Sequence, residues 1–199
     1  MSSKNYWENQ YDSGFMPWDI ETPDKNLINS VEEFNIKACK ALEIGCGTET
    51  NSIWLARSGF TVLGVDVSEF AIAKAKEKVL LADVQCEFLA LDILTGEMPD
   101  GNFEFIFDRG CFHTFDSPNE RRLFAGAVSR NLSKTGVWLS LIGSKKGLPR
   151  LSAGPPRRSK SDITEAVEPY FHIVSLTSDY FESKLERPAH NWVCMMSKK

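Results

Sequence analysis

Ala41-Leu42-Glu43-Ile44-Gly45-Cys46-Gly47-Thr48-Glu49 is the stretch that decides how this chain is read. A short, mostly apolar run ends in two glycines one residue apart, as a buried strand does when it breaks at a turn that needs backbone freedom. Ser52-Ile53-Trp54-Leu55-Ala56-Arg57 follows with helical composition and stops before Gly59, a helix-ending residue. Thr61-Val62-Leu63-Gly64-Val65-Asp66 is rich in β-branched residues and reads as a second strand. The unit is therefore strand, glycine turn, helix, strand.

The same rhythm continues outward. Ser68 is placed to cap a helix over Glu69–Val79, because its hydroxyl can satisfy a free backbone N–H. Cys86–Leu91 and Phe103–Asp108 are the third and fourth strands, and Gly136–Ile142 the fifth. Between them Pro118–Leu132 is a helix, with Pro118 in the first turn, where a missing N–H costs nothing. Strands alternating with helices imply βαβ units, and near-continuous apolar strands imply a parallel sheet covered on both faces. The expected fold class is α/β, a doubly wound, mostly parallel sheet. After a short helix at Asp162–Val167, two more strands are expected near Phe171–Thr177 and Trp192–Met196. About 15 residues separate them, with no helix strong enough for a crossover, so they form an antiparallel terminal pair and bring the sheet to seven strands.

At 199 residues the chain is expected to be one domain. Residues 1–37 form an N-terminal flap with Tyr6, Trp7, Tyr11, Phe15 and Trp18, residues 38–142 the ligand-binding core, and residues 143–199 a lid loop and the terminal strand pair. Hydrophobic residues at 42% and charged residues at 25% are ordinary for a globular protein, so a chain this long needs neither metals nor disulfides to hold a core. No apolar run approaches the roughly 20 residues of a membrane span, and the start, Met1 to Glu8, lacks the apolar stretch of a signal peptide. A net charge of −4 argues against a dedicated nucleic-acid binder. The five cysteines are scattered without a CxxC pair, so reduced thiols in the cytoplasm are expected and no metal site is. The oligomeric state is not written in these motifs.

In doubly wound sheets the ligand sits outside the carboxyl ends of the strands, where strand order reverses, and the first glycine turn marks the place. Asp66 lies 19 residues after Gly47, at the tip of the second strand, where an acid accepts hydrogen bonds from ribose hydroxyls. A dinucleotide fingerprint needs a third glycine, and Thr50 stands there instead; no P-loop sequence is present. Glu43 and Glu49 bring carboxylates to the place a pyrophosphate would take, where like charges repel. A phosphate-free, cationic nucleoside fits better: S-adenosylmethionine, with its ammonium and sulfonium charges. A nicotinamide-binding oxidoreductase is the disfavoured competitor.

These residues together resemble the class I S-adenosylmethionine-dependent methyltransferases: Glu43-Ile44-Gly45-Cys46-Gly47, Val65-Asp66-Val67-Ser68, Leu91-Asp92-Ile93 and Phe107-Asp108. The flanking Pro17-Trp18-Asp19 and Gly154-Pro155-Pro156-Arg157 are similar to the thiopurine, thiol, halide and tellurite-resistance branch of small-molecule methyltransferases. The resemblance implies that Glu43 and the Gly45-Cys46-Gly47 turn hold the methionine end, Asp66 and Val67 the ribose, and Asp92 and Ile93 the adenine. It also implies that Trp18 packs on the cofactor, that Asp108 closes the cofactor side of the fourth strand, and that S-adenosylhomocysteine is the product. Glu49 departs from the pattern, standing where the family usually has glycine. Glu49→Gly separates the readings: unchanged cofactor affinity if the side chain points to solvent, tighter binding if it crowds the methionine carboxylate, and weaker binding, against both, if Glu49 helps hold the cofactor's ammonium.

The methyl acceptor belongs beside Asp108-Arg109-Gly110-Cys111-Phe112-His113. The Asn/Asp-Pro-Pro-aromatic sequence of nucleic-acid amino-methyltransferases is absent there, which favours a small-molecule acceptor. Methyl transfer is an in-line displacement needing alignment and exclusion of water. Soft nucleophiles such as thiols, halides or metalloids need little or no base, whereas an oxygen or protonated amine does, and His113 is the candidate in reach. Arg109 either forms a local salt bridge or orients an anionic acceptor. The basic segment Lys145, Lys146, Arg150, Arg157, Arg158 and Lys160 is either a solvated lid or an attractor of anionic substrates. The competing functional reading is a non-catalytic protein whose cofactor site Glu49 has weakened.

Overall fold

A computed structural model of the chain describes residues 4–14, 16–98, 101–146, 154–184 and 186–199; Phe15 and Arg150, singled out above, lie outside them. Its elements are α1 (Lys4–Asp12), α2 (Lys25–Glu33), β1 (Lys40–Ile44), α3 (Thr50–Arg57), β2 (Thr61–Asp66), α4 (Glu69–Ala82) and β3 (Cys86–Ala90). These are followed by β4 (Phe103–Arg109), α5 (Cys111–Thr114), α6 (Pro118–Asn131), β5 (Leu132–Gly143), α7 (Lys160–Val167), β6 (Phe171–Tyr180) and β7 (His190–Lys198). The seven strands form one sheet in the order β3-β2-β1-β4-β5-β7-β6. β1 to β5 pair in parallel, and β7 is antiparallel to both β5 and β6. Strand order reverses between β1 and β4, which places the expected crevice at the carboxyl ends of those two strands.

Side-chain alternation along the strands divides the core. Leu42, Ile44 and Ile106 face one way, into a cluster with Phe112, Phe124, Trp138, Ile163 and Phe171 under α5, α6 and α7. Ala41, Val62, Phe105 and Phe107 face the other way, against Leu27 of α2 and Leu55 of α3. Ile72, Ala75 and Val79 pack α4 onto Phe88 and Cys46. Both faces are therefore covered, and that is why the strand sequences lack a polar face.

Local chemistry sets the helix starts. Ser68 accepts a hydrogen bond from the Ala71 N–H at the head of α4. Ser117 and Glu120 form a reciprocal capping box ahead of Pro118 in α6, and Ser159 and Asp162 form another in α7. Leu132, expected in the helix, instead begins β5, because its buried side chain and its pairing with Phe103 hold it extended. The N-terminal flap contains two helices that the hydrophobic pattern did not announce. Among the described residues no helix is long and apolar enough to cross a membrane.

Candidate active site

The crevice at the β1–β4 reversal opens into a cavity of about 530 Å³. Its floor is the turn after β1, its sides are the tips of β2 and β3 and the start of α5, and α1 with residues 17–24 covers it. The glycine turn is held from below: the Gly45 and Cys46 N–H groups donate to the Val65 carbonyl, at 2.7 and 3.0 Å. Gly47 has φ +54, and a Cβ there would meet the Tyr11 hydroxyl at 3.0 Å. This is a cradle that only glycine leaves open.

Asp66 is 7% exposed and takes backbone bonds on both oxygens, from the Gly47 N–H at 3.0 Å and the Ser68 N–H at 2.9 Å. It thus couples the turn to the head of α4 while lining the cavity; burial raises its pKa. Asp92 caps a tight turn, accepting from the Leu94 N–H at 2.9 Å, beside the buried Ile93. Val67 and Cys46 also line the cavity. Trp18 stands edge-on to Trp7 and to Tyr11, with ring centroids 5.8 and 6.4 Å away.

Glu43 lines the cavity yet spends its carboxylate on α3: Asn51 donates to one oxygen at 3.1 Å and Ser52 to the other at 2.5 Å. It is 1% exposed, and burial pushes its pKa up to about 7. Asp108 corrects an expectation, because it does not line the cavity. It is fully buried and accepts from the Phe112 N–H at 3.0 Å and the Trp138 indole N–H at 2.9 Å, tying β4 to α5 and β5. Burial lifts its pKa to about 6.

At the acceptor end His113 is 6% exposed, and its Nδ1 accepts the Gly143 N–H at 2.7 Å. Its proton therefore sits on Nε2, and desolvation, with Arg158 and Arg109 nearby, lowers its pKa to about 3. That geometry replaces a proton acceptor with a neutral donor. Arg109 makes the local salt bridge: Nε donates to Asp24 at 2.6 Å, and the terminal nitrogens donate to the carbonyls of Trp18 at 3.2 Å and Glu182 at 2.5 Å. It straps the flap and the β6–β7 connection to β4. Described cations of the lid are similarly engaged. Arg158 donates to the carbonyls of His113 and Phe115 and to Asp116; Lys145 pairs with Asp162.

Glu8 escaped the sequence reading, and Tyr11 entered it only as one aromatic of the flap. Tyr11, 5% exposed, lies over Gly47 and near Asp66. Glu8 caps α4 from outside, accepting from the Ser68 hydroxyl at 3.0 Å and the Glu69 N–H at 2.7 Å. The spacing of Trp7 and Tyr11, four residues apart, was the available signal; the polar residues between them hid it.

Among the described residues seven acids line the cavity, against Arg109 as the one permanent cation. Asp24, Asp116 and Glu49 have basic partners, which leaves Asp19, Glu43, Asp66 and Asp92 without one. A phosphate-bearing ligand is disfavoured in that field and a cationic one is favoured. The donor set fits S-adenosylmethionine.

Comparison with known proteins gives the same direction. The family model for thiopurine S-methyltransferase matches residues 2–196. A probable thiol methyltransferase 2 from Arabidopsis thaliana is 30% identical over 182 residues, covering 89% of this chain and 78% of the relative. A 2-heptyl-1-hydroxyquinolin-4(1H)-one methyltransferase from Mycobacteroides abscessus is 27% identical over 161 residues, covering 79% and 69%. The structure solved for the conversion of a disulfide bond into a thioacetal group during echinomycin biosynthesis superposes with a TM-score of 0.84 at 22% identity, covering 98% of this chain and 92% of that one. That likeness is one of fold.

Proposed function

The chain belongs to the thiopurine S-methyltransferase family and is by that membership an S-adenosylmethionine-dependent methyltransferase; we propose that its acceptor is a small molecule presenting a soft anionic nucleophile, first of all a thiolate. The observation that carries this is His113: the side chain in reach of the acceptor has its only lone-pair nitrogen occupied by the Gly143 N–H. Burial keeps it neutral, so it has no capacity to take a proton from an acceptor at ordinary pH. Halides and metalloid anions share the same requirement. A non-catalytic cofactor binder is not favoured.

When bound, the cofactor supplies an electrophilic methyl group on a sulfonium. The chain's own residues do the rest. The Gly45–Gly47 backbone and Asp66 fix the methionine end and the ribose, Val67, Asp92 and Ile93 border the adenine, and Trp18 with Tyr11 closes the flap from above. His113, through its Nε2–H, orients the acceptor and stabilises its negative charge; Arg109 acts as a positioning residue, holding flap and β6–β7 connection around the acceptor space. The Pro155-Pro156 segment and Phe181 supply apolar walls that exclude water. Five free thiols suit a reducing compartment, and we place the protein in the cytoplasm, acting on small molecules rather than nucleic acid.

The test is the pH dependence of kcat/KM for two thiols whose own pKa values differ by about two units. With no enzymic base, each profile rises to a plateau at the pKa of its own acceptor. A common inflection for both thiols, set by the enzyme, would overturn the reading.

A further inference from the structure

Glu49 is the least comfortable residue in the cavity wall. It occupies the left-handed region at φ +83, where a side chain is strained relative to glycine. Its carboxylate is 1% exposed; Oε1 pairs with Lys78 at 3.3 Å, while Oε2 is sealed from solvent with no hydrogen-bond partner. A strained backbone and an unsatisfied buried acceptor at one cavity residue are two separate costs, and such costs gather where a ligand compensates them. The neighbouring Glu43, which the resemblance assigns to the methionine end, is 1% exposed and already accepts from Asn51 on one oxygen and Ser52 on the other.

We infer that Glu49 is a cofactor-binding residue, whose free Oε2 accepts a hydrogen bond from the ammonium of the methionine moiety in place of Glu43. Lys78, which also donates to the Thr48 hydroxyl at 3.1 Å, anchors the other oxygen at 3.3 Å. The geometry rejects both simpler fates for the side chain. It does not point to solvent, and its unpaired oxygen is an acceptor for a cation beside the turn rather than a mere obstruction.

The experiment measures dissociation constants by calorimetry for the unsubstituted chain, Glu49→Gln and Glu49→Gly. The ligands are S-adenosylmethionine, S-adenosylhomocysteine and 5′-methylthioadenosine, which lacks the ammonium and carboxylate. Loss of one charge-assisted bond weakens both amino-acid-bearing ligands by about tenfold or more and leaves 5′-methylthioadenosine within about twofold. Glu49→Gly also relieves the left-handed strain, so its thermal midpoint rises while its affinity falls, a combination that a misfolded variant does not give. Unchanged or tighter S-adenosylmethionine binding in both variants overturns the inference, as does equal weakening of all three ligands. The inference rests on S-adenosylmethionine as cofactor; failure of that premise reads differently, as no binding by the unsubstituted chain.

Discussion

Replacing Arg109 with methionine tests whether this arginine is a structural strap or a hand for the acceptor. The Arg109 side chain is 10% exposed and that of its partner Asp24 is fully buried, with 2.6 Å between Nε and the carboxylate. Removing one member of a buried pair costs about 3–5 kcal/mol, chiefly because the other charge is left uncompensated. Asp24 keeps the Asn26 backbone N–H at 2.9 Å and side-chain amide at 3.1 Å on its other oxygen, which places the expected loss near the lower figure, about 3 kcal/mol. For a chain of this size that lowers the thermal midpoint by roughly 6–12 °C. Differential scanning calorimetry on Arg109→Met, Asp24→Asn and the double variant gives the cycle. The double variant should be more stable than the sum of the two single losses predicts, because a neutral amide needs no counter-charge. A midpoint within about 2 °C of the parent, together with a tenfold rise in acceptor KM, would refute the strap and return Arg109 to the acceptor.

Other perturbations read different parts of the site. Glu8→Ala removes the external cap on α4, at a cost of about 1 kcal/mol, and should speed S-adenosylhomocysteine release severalfold in stopped-flow displacement; an unchanged rate would free α1 of any latch role. Glu43 has its pKa raised by burial from 4.5 to about 7, so the folded chain holds a proton that the unfolded chain has released. Its contribution is complete below pH 4.5 and is lost as pH rises toward 7, so ligand-free stability should decline across that window through Glu43. His113, with its pKa lowered from 6.5 to about 3, works in the opposite sense as pH falls. The difference between the parent and Glu43→Gln in midpoint against pH therefore isolates the carboxylate; parallel curves would count against a buried, protonated Glu43.

How legible the molecule was varied with the kind of interaction. The first five strands, the start of α4 at Ser68 and the antiparallel terminal pair were all readable, because burial on both faces and local capping write themselves into adjacent residues. α1 and α2 were not: polar residues such as Asn5, Asn9 and Gln10 break the apolar stripe of α1, which lies over the cavity, and α2 is held through Leu27 packed against the sheet. The glycine turn and Asp66 were found by spacing, Asp92 and Ile93 through the family resemblance, and all border the cavity. Asp108 was placed by proximity in sequence to the end of the fourth strand, and there proximity misled; His113, placed the same way, does line the cavity, with its Nδ1 taken by the Gly143 N–H.

The sequence by itself determined the doubly wound sheet, the place where its strand order reverses and the charge type of the ligand, because each follows from short-range pattern: periodicity, glycine spacing and carboxylates within one turn. Only the tertiary structure decided what the individual polar groups are free to do. Glu43 is bound by α3, Arg109 by the flap and the β6–β7 connection, His113 by the β5 backbone and Asp108 by Trp138. A side chain's availability depends on partners brought from 8 to 85 residues away, and burial among them sets its protonation. Those partners are a property of packing, which no local stretch of the chain contains.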